Sequence, residues 1–179
     1  MNTQDIIERL EEFDTEMFLE NNQRNQKIRI VIIGGAALLL HHCIQRSTHD
    51  IDIIQLDGRI NLDMIEKYDM DTRSMAFSSN FSDTMDERYV RVEANTKVTE
   101  FYIPSLENLI ISKLSSDRGK DTQDVMQELV YEKVDLTVLD EILLDIHLAV
   151  FGHSLVNLRF GYEDFKQRKE EYDNAKKFK

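Results

Sequence analysis

Apolar residues at Ile6, Ile7, Leu10, Phe13, Met17 and Phe18 recur at the three-to-four-residue spacing that lines one face of a helix, so the first segment reads as an amphipathic helix. The polar run NNQRNQ ends that pattern. Ile28 to Ile33 (IRIVII) is short and β-branched and predicts a buried strand, stopped by Gly34-Gly35. Ala36 to about Ile44 is rich in Ala and Leu and predicts a helix. Asp50 to Leu56 alternates and then turns apolar, a second strand closed by Asp57-Gly58. Asn61 is placed to cap a helix carrying Leu62, Ile65 and Tyr68. Asp71 to Glu87 has no clear period, and its serines and aspartates (SSNFSDTMDE) predict a mobile loop or a short insertion. In Arg88 to Ala94 the alternation returns, with Val90 and Val92 on one face and Tyr89, Arg91 and Glu93 on the other. Val98 to Ile103 is a further strand. Pro104 and a Ser105 N-cap then start a helix that runs to Leu114. Asp121 to about Glu132, Asp135 to Phe151, and the charged stretch YEDFKQRKEEYDNAKKFK read as helices.

This order predicts a small α/β sheet followed by helices, with a core domain over residues 1–133 and a helical C-terminal extension over 134–179. At 179 residues the chain is long enough for a substantial core. Its formal net charge of −12 argues against a broad basic surface for nucleic-acid backbone, although carboxylates bridged to phosphates by divalent cations remain compatible with nucleotide binding. One cysteine, Cys43, excludes an internal disulfide and fits a reducing compartment. The acidic N-terminal segment lacks the pattern of a signal peptide, and no apolar run is of membrane-spanning length. The expected location is therefore cytoplasmic, with no membrane partner.

Two signals carry chemistry. Glycines at a strand-to-helix turn let the backbone approach a ligand and expose helix N–H groups to an anion; the plainer reading of Gly34-Gly35 is a tight turn with no ligand. Neither a dinucleotide fingerprint nor a P-loop is present. Asp50 and Asp52 are two residues apart on a strand and so share a face, with Ile51 and Ile53 directed to the core. Paired carboxylates suit Mg²⁺, while a solvent-facing strand end is the plainer alternative. An EF-hand fails, because Ile54 and Gln55 stand where its loop needs a ligand and a glycine.

Together, the Gly-Gly turn, the helix and the Asp50-Ile-Asp52 strand resemble the polymerase-β-like nucleotidyltransferase superfamily. Arg46-Ser-Thr48-His-Asp50-Ile-Asp52 and the block IPSLENLIISKLSSDRGKDTQDV are most similar to its abortive-infection (AbiEii-like) toxin branch, over roughly Ile28 to Leu129. The resemblance implies a minimal nucleotidyltransferase fold of α/β (α+β) class, a small mixed sheet flanked by helices. It implies transfer of a nucleoside monophosphate from an NTP to an acceptor hydroxyl on tRNA or protein, with Mg²⁺ or Mn²⁺ held by three acidic residues. Asp50 and Asp52 would be two of these. Glu93, on the polar face of its strand, is the expected third, with Asp83, Asp86 and Glu87 as substitutes. Gly34, Gly35, Arg46, Thr48, Lys113, Lys120, Asp121 and Asp124 would contact the nucleotide. Helix capping and a solvated lysine are the plainer readings of the last four. The resemblance also implies a toxin–antitoxin or phage-defence setting, with a cognate antitoxin or toxin protein as partner. The alternative function is a catalytically inactive module of the same fold that binds a protein or a nucleotide. His41, His42 and Cys43 are consecutive on a helix and diverge by about 100° each, so core or surface roles are expected rather than a zinc site.

Overall fold

The structure, a computed structural model, describes residues 1–20, 27–58, 60, 62–72, 88–146 and 153–177. Its elements are α1 (Thr3–Glu20), β1 (Ile28–Ile32), α2 (Gly34–Leu40), β2 (Ile51–Asp57), α3 (Leu62–Lys67), β3 (Met70–Asp71), β4 (Tyr89–Arg91), β5 (Thr99–Pro104), α4 (Leu106–Leu114), α5 (Gly119–Val125), α6 (Glu128–Lys133), α7 (Leu136–Ile146) and α8 (His153–Lys177). They fall into two compact units, Met1–Ser78 with Tyr89–Pro104, and Ser79–Arg88 with Ser105–Lys179.

The first unit is built on a five-stranded sheet of order β3-β2-β1-β5-β4. β1 is antiparallel to β2 and parallel to β5, β3 runs parallel to β2, and β4 is antiparallel to β5. β1 is apolar at nearly every position because both of its side-chain faces are buried: Ile28, Ile30, Val31 and Ile32 are buried, and only Arg29 reaches solvent, where it pairs with Asp57. The apolar stripe predicted for α1 is the face that packs, with Ile6, Leu10, Phe13 and Met17 buried. Phe13 makes edge contacts with Phe101 of β5 and with Tyr68, which follows α3. The expected mixed sheet flanked by helices is thus present.

A buried acid fixes α1 to the sheet. Asp14 is 1% exposed, and its carboxylate accepts from the amides of Lys97 (2.6 Å), Val98 (2.9 Å) and Thr99 (2.6 Å) at the start of β5. A buried carboxylate is tolerated because three N–H groups replace its water.

In the second unit α4 packs against α5, α7 and α8. Ser105 caps it as predicted, its hydroxyl accepting from the Asn108 amide at 3.3 Å. Gly161 of α8 lies against Leu114, where an added Cβ would sit 3.1 Å from a leucine methyl. Tyr131 of α6 makes tilted ring contacts with Phe165 and Tyr172 of α8.

Several expectations need correction. The helix expected from Asp121 to Glu132 is two helices, because the chain leaves helical geometry at Met126 and is extended at Gln127. The strand expected over Arg88 to Ala94 is shorter, Tyr89–Arg91, and its two valines do not share an environment: Val90 is 47% exposed and Val92 is 8% exposed. β3 was not expected at all. Asn61 and the greater part of the Asp71 to Glu87 stretch, residues 73–87, lie outside the described residues.

Asp14→Ala is expected to lose at least about 3 kcal/mol of stability, because three amides lose a charged acceptor at about 1–3 kcal/mol each. Asp14→Asn, which keeps one acceptor oxygen, should lose less. Urea denaturation of the two variants against wild type is the measurement.

Candidate metal and nucleotide site

The site is built where β1 gives way to α2. Ile33 donates its amide to the Asp52 carbonyl at 2.8 Å, which continues the antiparallel ladder by one bond and brings the Gly34-Gly35 turn alongside β2. Gly34 adopts φ +67, in the left-handed region, and a Cβ there would overlap the Asp52 carboxylate. Both facts demand glycine. At Gly35 a Cβ would lie 3.2 Å from the Arg46 guanidinium and 3.5 Å from the Thr48 hydroxyl. The glycine pair is therefore bordered by Asp52 on one side and by Arg46 and Thr48 on the other.

Thr48 is 7% exposed, and its hydroxyl donates to the Asp50 carbonyl at 3.2 Å. Its amide donates to the Met1 carbonyl at 3.0 Å, so the segment just before α1 is bonded to this loop. On β2, Ile51 and Ile53 are fully buried and Asp52 half-buried, while Asp50, the residue just before the strand, is exposed. The predicted two-residue alternation holds here.

The third carboxylate beside this pair is Asp71. β3 pairs Met70 with Ile51 and Asp71 with Asp52 in parallel register. One ligand oxygen from each of Asp50, Asp52 and Asp71 lies within 4.8 Å of the others. Among the described residues they are the one group of three or more His, Cys, Asp or Glu side chains that converges in this way. All three offer oxygen, the donor that hard cations such as Mg²⁺ and Mn²⁺ select, so the residues present fit a divalent ion.

Glu93, expected as the third carboxylate on a strand next to β2, is not in this group. It is exposed and lies beyond the end of β4, and β1 and β5 separate β4 from β2. Three strand spacings amount to about 14 Å, too far to share an ion. Asp83, Asp86 and Glu87 lie outside the described residues.

The second unit holds a different cluster. The Lys113 ammonium lies 2.7 Å from Asp121 and 2.9 Å from Asp124, and all three side chains are at most 7% exposed. Arg118 adds a bond to Asp121 at 2.7 Å. Burial alone pushes the Asp121 carboxyl up; the Lys113 ammonium, with Ser116 and Arg118, more than offsets this and holds it below its ordinary value. Lys113, Asp121 and Asp124 thus each have a charged protein partner within hydrogen-bond distance. Lys120 is exposed in the first turn of α5. His41 directs its Nε2 to the Pro104 carbonyl at 2.8 Å, and Cys43 is buried.

A family model described as a nucleotidyltransferase of unknown function (DUF6036) matches residues 8–174. The chain belongs to this family. The match takes in both units, including α7 and most of α8, which the sequence resemblance did not reach. No curated protein and no solved structure matches. The family assignment supports the nucleotidyltransferase superfamily and leaves the AbiEii-like branch unassigned. No described helix is long and apolar enough to cross a membrane.

Two substitutions test this reading of the local structure. Gly34→Ala should destabilise by about 1–3 kcal/mol, because a Cβ meets both the left-handed backbone and the Asp52 carboxylate. Gly119→Ala, with nothing within 4 Å of its Cβ position, should be neutral or slightly stabilising in the same denaturation assay.

A second prediction concerns pH. The Asp121 carboxyl is depressed in the fold, so its contribution is complete above the ordinary value of 3.8 and is lost as pH falls through the lower folded value. Lys113→Met should cost roughly 3–5 kcal/mol near neutrality, where it removes the ammonium shared by two buried carboxylates. On acidification, as the Asp121 carboxyl takes up its proton, the gap to wild type should narrow. Stability curves from pH 7 to pH 3 measure both effects.

Proposed function

We propose that the chain is a divalent-metal-dependent nucleotidyltransferase that moves a nucleoside monophosphate from an NTP to an acceptor hydroxyl. The observation that carries this is the convergence of Asp50, Asp52 and Asp71 beside the Gly34-Gly35 turn in a chain of nucleotidyltransferase family. In the reaction, the acceptor oxygen forms a bond to the α-phosphorus and the bond from that phosphorus to the leaving pyrophosphate oxygen breaks. Asp50, Asp52 and Asp71 would hold Mg²⁺ or Mn²⁺, which when bound supplies charge neutralisation at the reacting phosphates and orients the acceptor oxygen.

The protein's own groups supply the rest. Gly35 has no side chain to obstruct a phosphate, and the Arg46 guanidinium beside it is a cation of the right shape to pair with one. Thr48 fixes the backbone of Asp50 through its hydroxyl. The net charge of −12 favours a protein hydroxyl as acceptor, or an RNA held by a partner protein, over an RNA gripped by the chain alone. The likeness of Arg46-Ser-Thr48-His-Asp50-Ile-Asp52 to the AbiEii-like branch supports a cytoplasmic toxin–antitoxin or phage-defence setting with a cognate protein partner.

The test is to incubate the protein with each α-labelled NTP in turn, Mg²⁺ or Mn²⁺, and either total tRNA or candidate partner proteins. Label should move to one acceptor class. Asp50→Asn, Asp52→Asn and Asp71→Asn should each lower transfer by ~100-fold or more, beyond what loss of an outer-sphere support costs a metal site. Glu93→Gln should keep near-wild-type transfer. If Asp71→Asn is fully active, Asp71 is not a ligand. If no divalent ion raises the melting temperature of wild type, the chain is a non-catalytic binding module.

A further inference from the structure

We infer that Arg9 and Glu16 of α1 are positioning residues for the third carboxylate, holding the turn before β3 so that Asp71 sits beside Asp50 and Asp52. The inference rests on the metal-site reading above. It starts from a deficit. β3 has two residues, and its ladder with β2 has two register pairs, too little to fix a strand by itself. Asp69, just before it, sits at φ 53, a left-handed conformation that side-chain-bearing residues enter at a cost. Something outside the ladder must hold this turn.

The holding contacts come from α1. Arg9 forms an ion pair with the Asp69 carboxylate. Glu16 pairs with Lys67 and accepts from the Tyr68 hydroxyl at 2.6 Å. Tyr68 places its ring edge-on to Phe13, with centroids 5.7 Å apart. Lys67 at the end of α3 and the two turn residues Tyr68 and Asp69 are thus tied to one helix. On its other side, the Asp69 carbonyl accepts from Ile51, the residue between Asp50 and Asp52, at 2.8 Å. Asp69 therefore joins α1 directly to the strand that carries the first two carboxylates.

The base of this clamp is firm. Phe13 also touches Phe101, and the next residue, Asp14, accepts from three amides at the start of β5. A continuous path runs from β5 through Asp14 and α1 to the turn at Lys67–Asp69 and then to Asp71. Bringing three carboxylates together is unfavourable until a cation is present, so the ligand set needs support that does not come from the ion. Arg9 and Glu16 supply it through contacts that are themselves partly exposed and contribute little to global stability.

The experiment measures Mn²⁺ affinity by titration calorimetry on the full chain, well below the melting temperature, together with unfolding in metal-free buffer. Arg9→Ala and Glu16→Gln should each weaken Mn²⁺ by about 3–10-fold and the double variant by about 10–100-fold, the range seen when supports of a metal site are removed. Metal-free unfolding should barely move. Arg9→Lys should restore most of the affinity. Tyr68→Phe, which keeps the ring packing and removes the hydroxyl bond to Glu16, should fall between wild type and Glu16→Gln. Lys27→Ala, which breaks a surface ion pair with Glu100 before the far end of β1, should leave Mn²⁺ affinity unchanged. Wild-type Mn²⁺ affinity in the Arg9→Ala, Glu16→Gln double variant overturns the inference and leaves the metal site standing. A parallel loss in Lys27→Ala overturns it as well, by showing a general effect. Absence of Mn²⁺ binding in wild type overturns the metal-site reading itself, a result distinguishable from the other two.

Discussion

Three carboxylates whose oxygens converge to within 4.8 Å set the terms for the rest of the first unit. Like charges at that separation repel, and each side chain would relax outward if its backbone allowed. The local structure removes that freedom piece by piece. Asp52 lies near the start of β2, flanked by two fully buried isoleucines, and packs against a glycine whose left-handed backbone and close approach disfavour any side chain. Asp50 is held through its carbonyl by Thr48. Asp71 is carried on a two-residue strand whose position comes from a helix tied to the opposite half of the sheet. The backbone is preorganised for a ligand set that its own electrostatics disfavour.

How much of this was legible in the sequence follows from the physics of each element. Asp50 and Asp52 were readable because a strand alternates with period two and the isoleucines beside them must be inside. The glycine pair was readable because it interrupts an aliphatic strand before an Ala- and Leu-rich helix, and its two positions have separate reasons in the structure, Asp52 for Gly34 and Arg46 with Thr48 for Gly35. Asp71 was not readable. Two residues cannot show a period, and the turn that delivers them uses an aspartate in the left-handed region, where glycine is the usual sign. Glu93 drew attention because its strand alternates clearly. Alternation says which face a residue takes and nothing about which strands are neighbours, and the order β3-β2-β1-β5-β4 puts β4 at the wrong edge.

The second unit shows how the same residue types serve a different end. Lys113, Asp121 and Asp124 have the composition of a phosphate and metal site, yet they are buried against one another at 2.7 and 2.9 Å. An ammonium between two carboxylates in a low-dielectric setting satisfies its own charge, and its removal would be more costly than its presence is stabilising. Sequence spacing put these residues within reach of each other but could not say whether a ligand or a partner side chain completes the set. The two sets differ in exposure: the Asp50 side chain opens to solvent, whereas the Lys113 cluster does not.

The division of labour along α1 follows from this. Its buried stripe, Ile6, Leu10, Phe13 and Met17, would stabilise any sheet it packed on, and that part was visible in the apolar spacing. Arg9, Asp14 and Glu16 add nothing to the stripe. They are polar positions whose partners lie 51 to 85 residues away, so no local pattern announces them. Asp14 tethers the helix to β5 with one carboxylate and three amides. Arg9 and Glu16 then transmit that fixed position to a turn on the other side of the sheet order. A helix that sequence resemblance left outside the nucleotidyltransferase-like stretch is, in the fold, the element on which the placement of the third carboxylate depends.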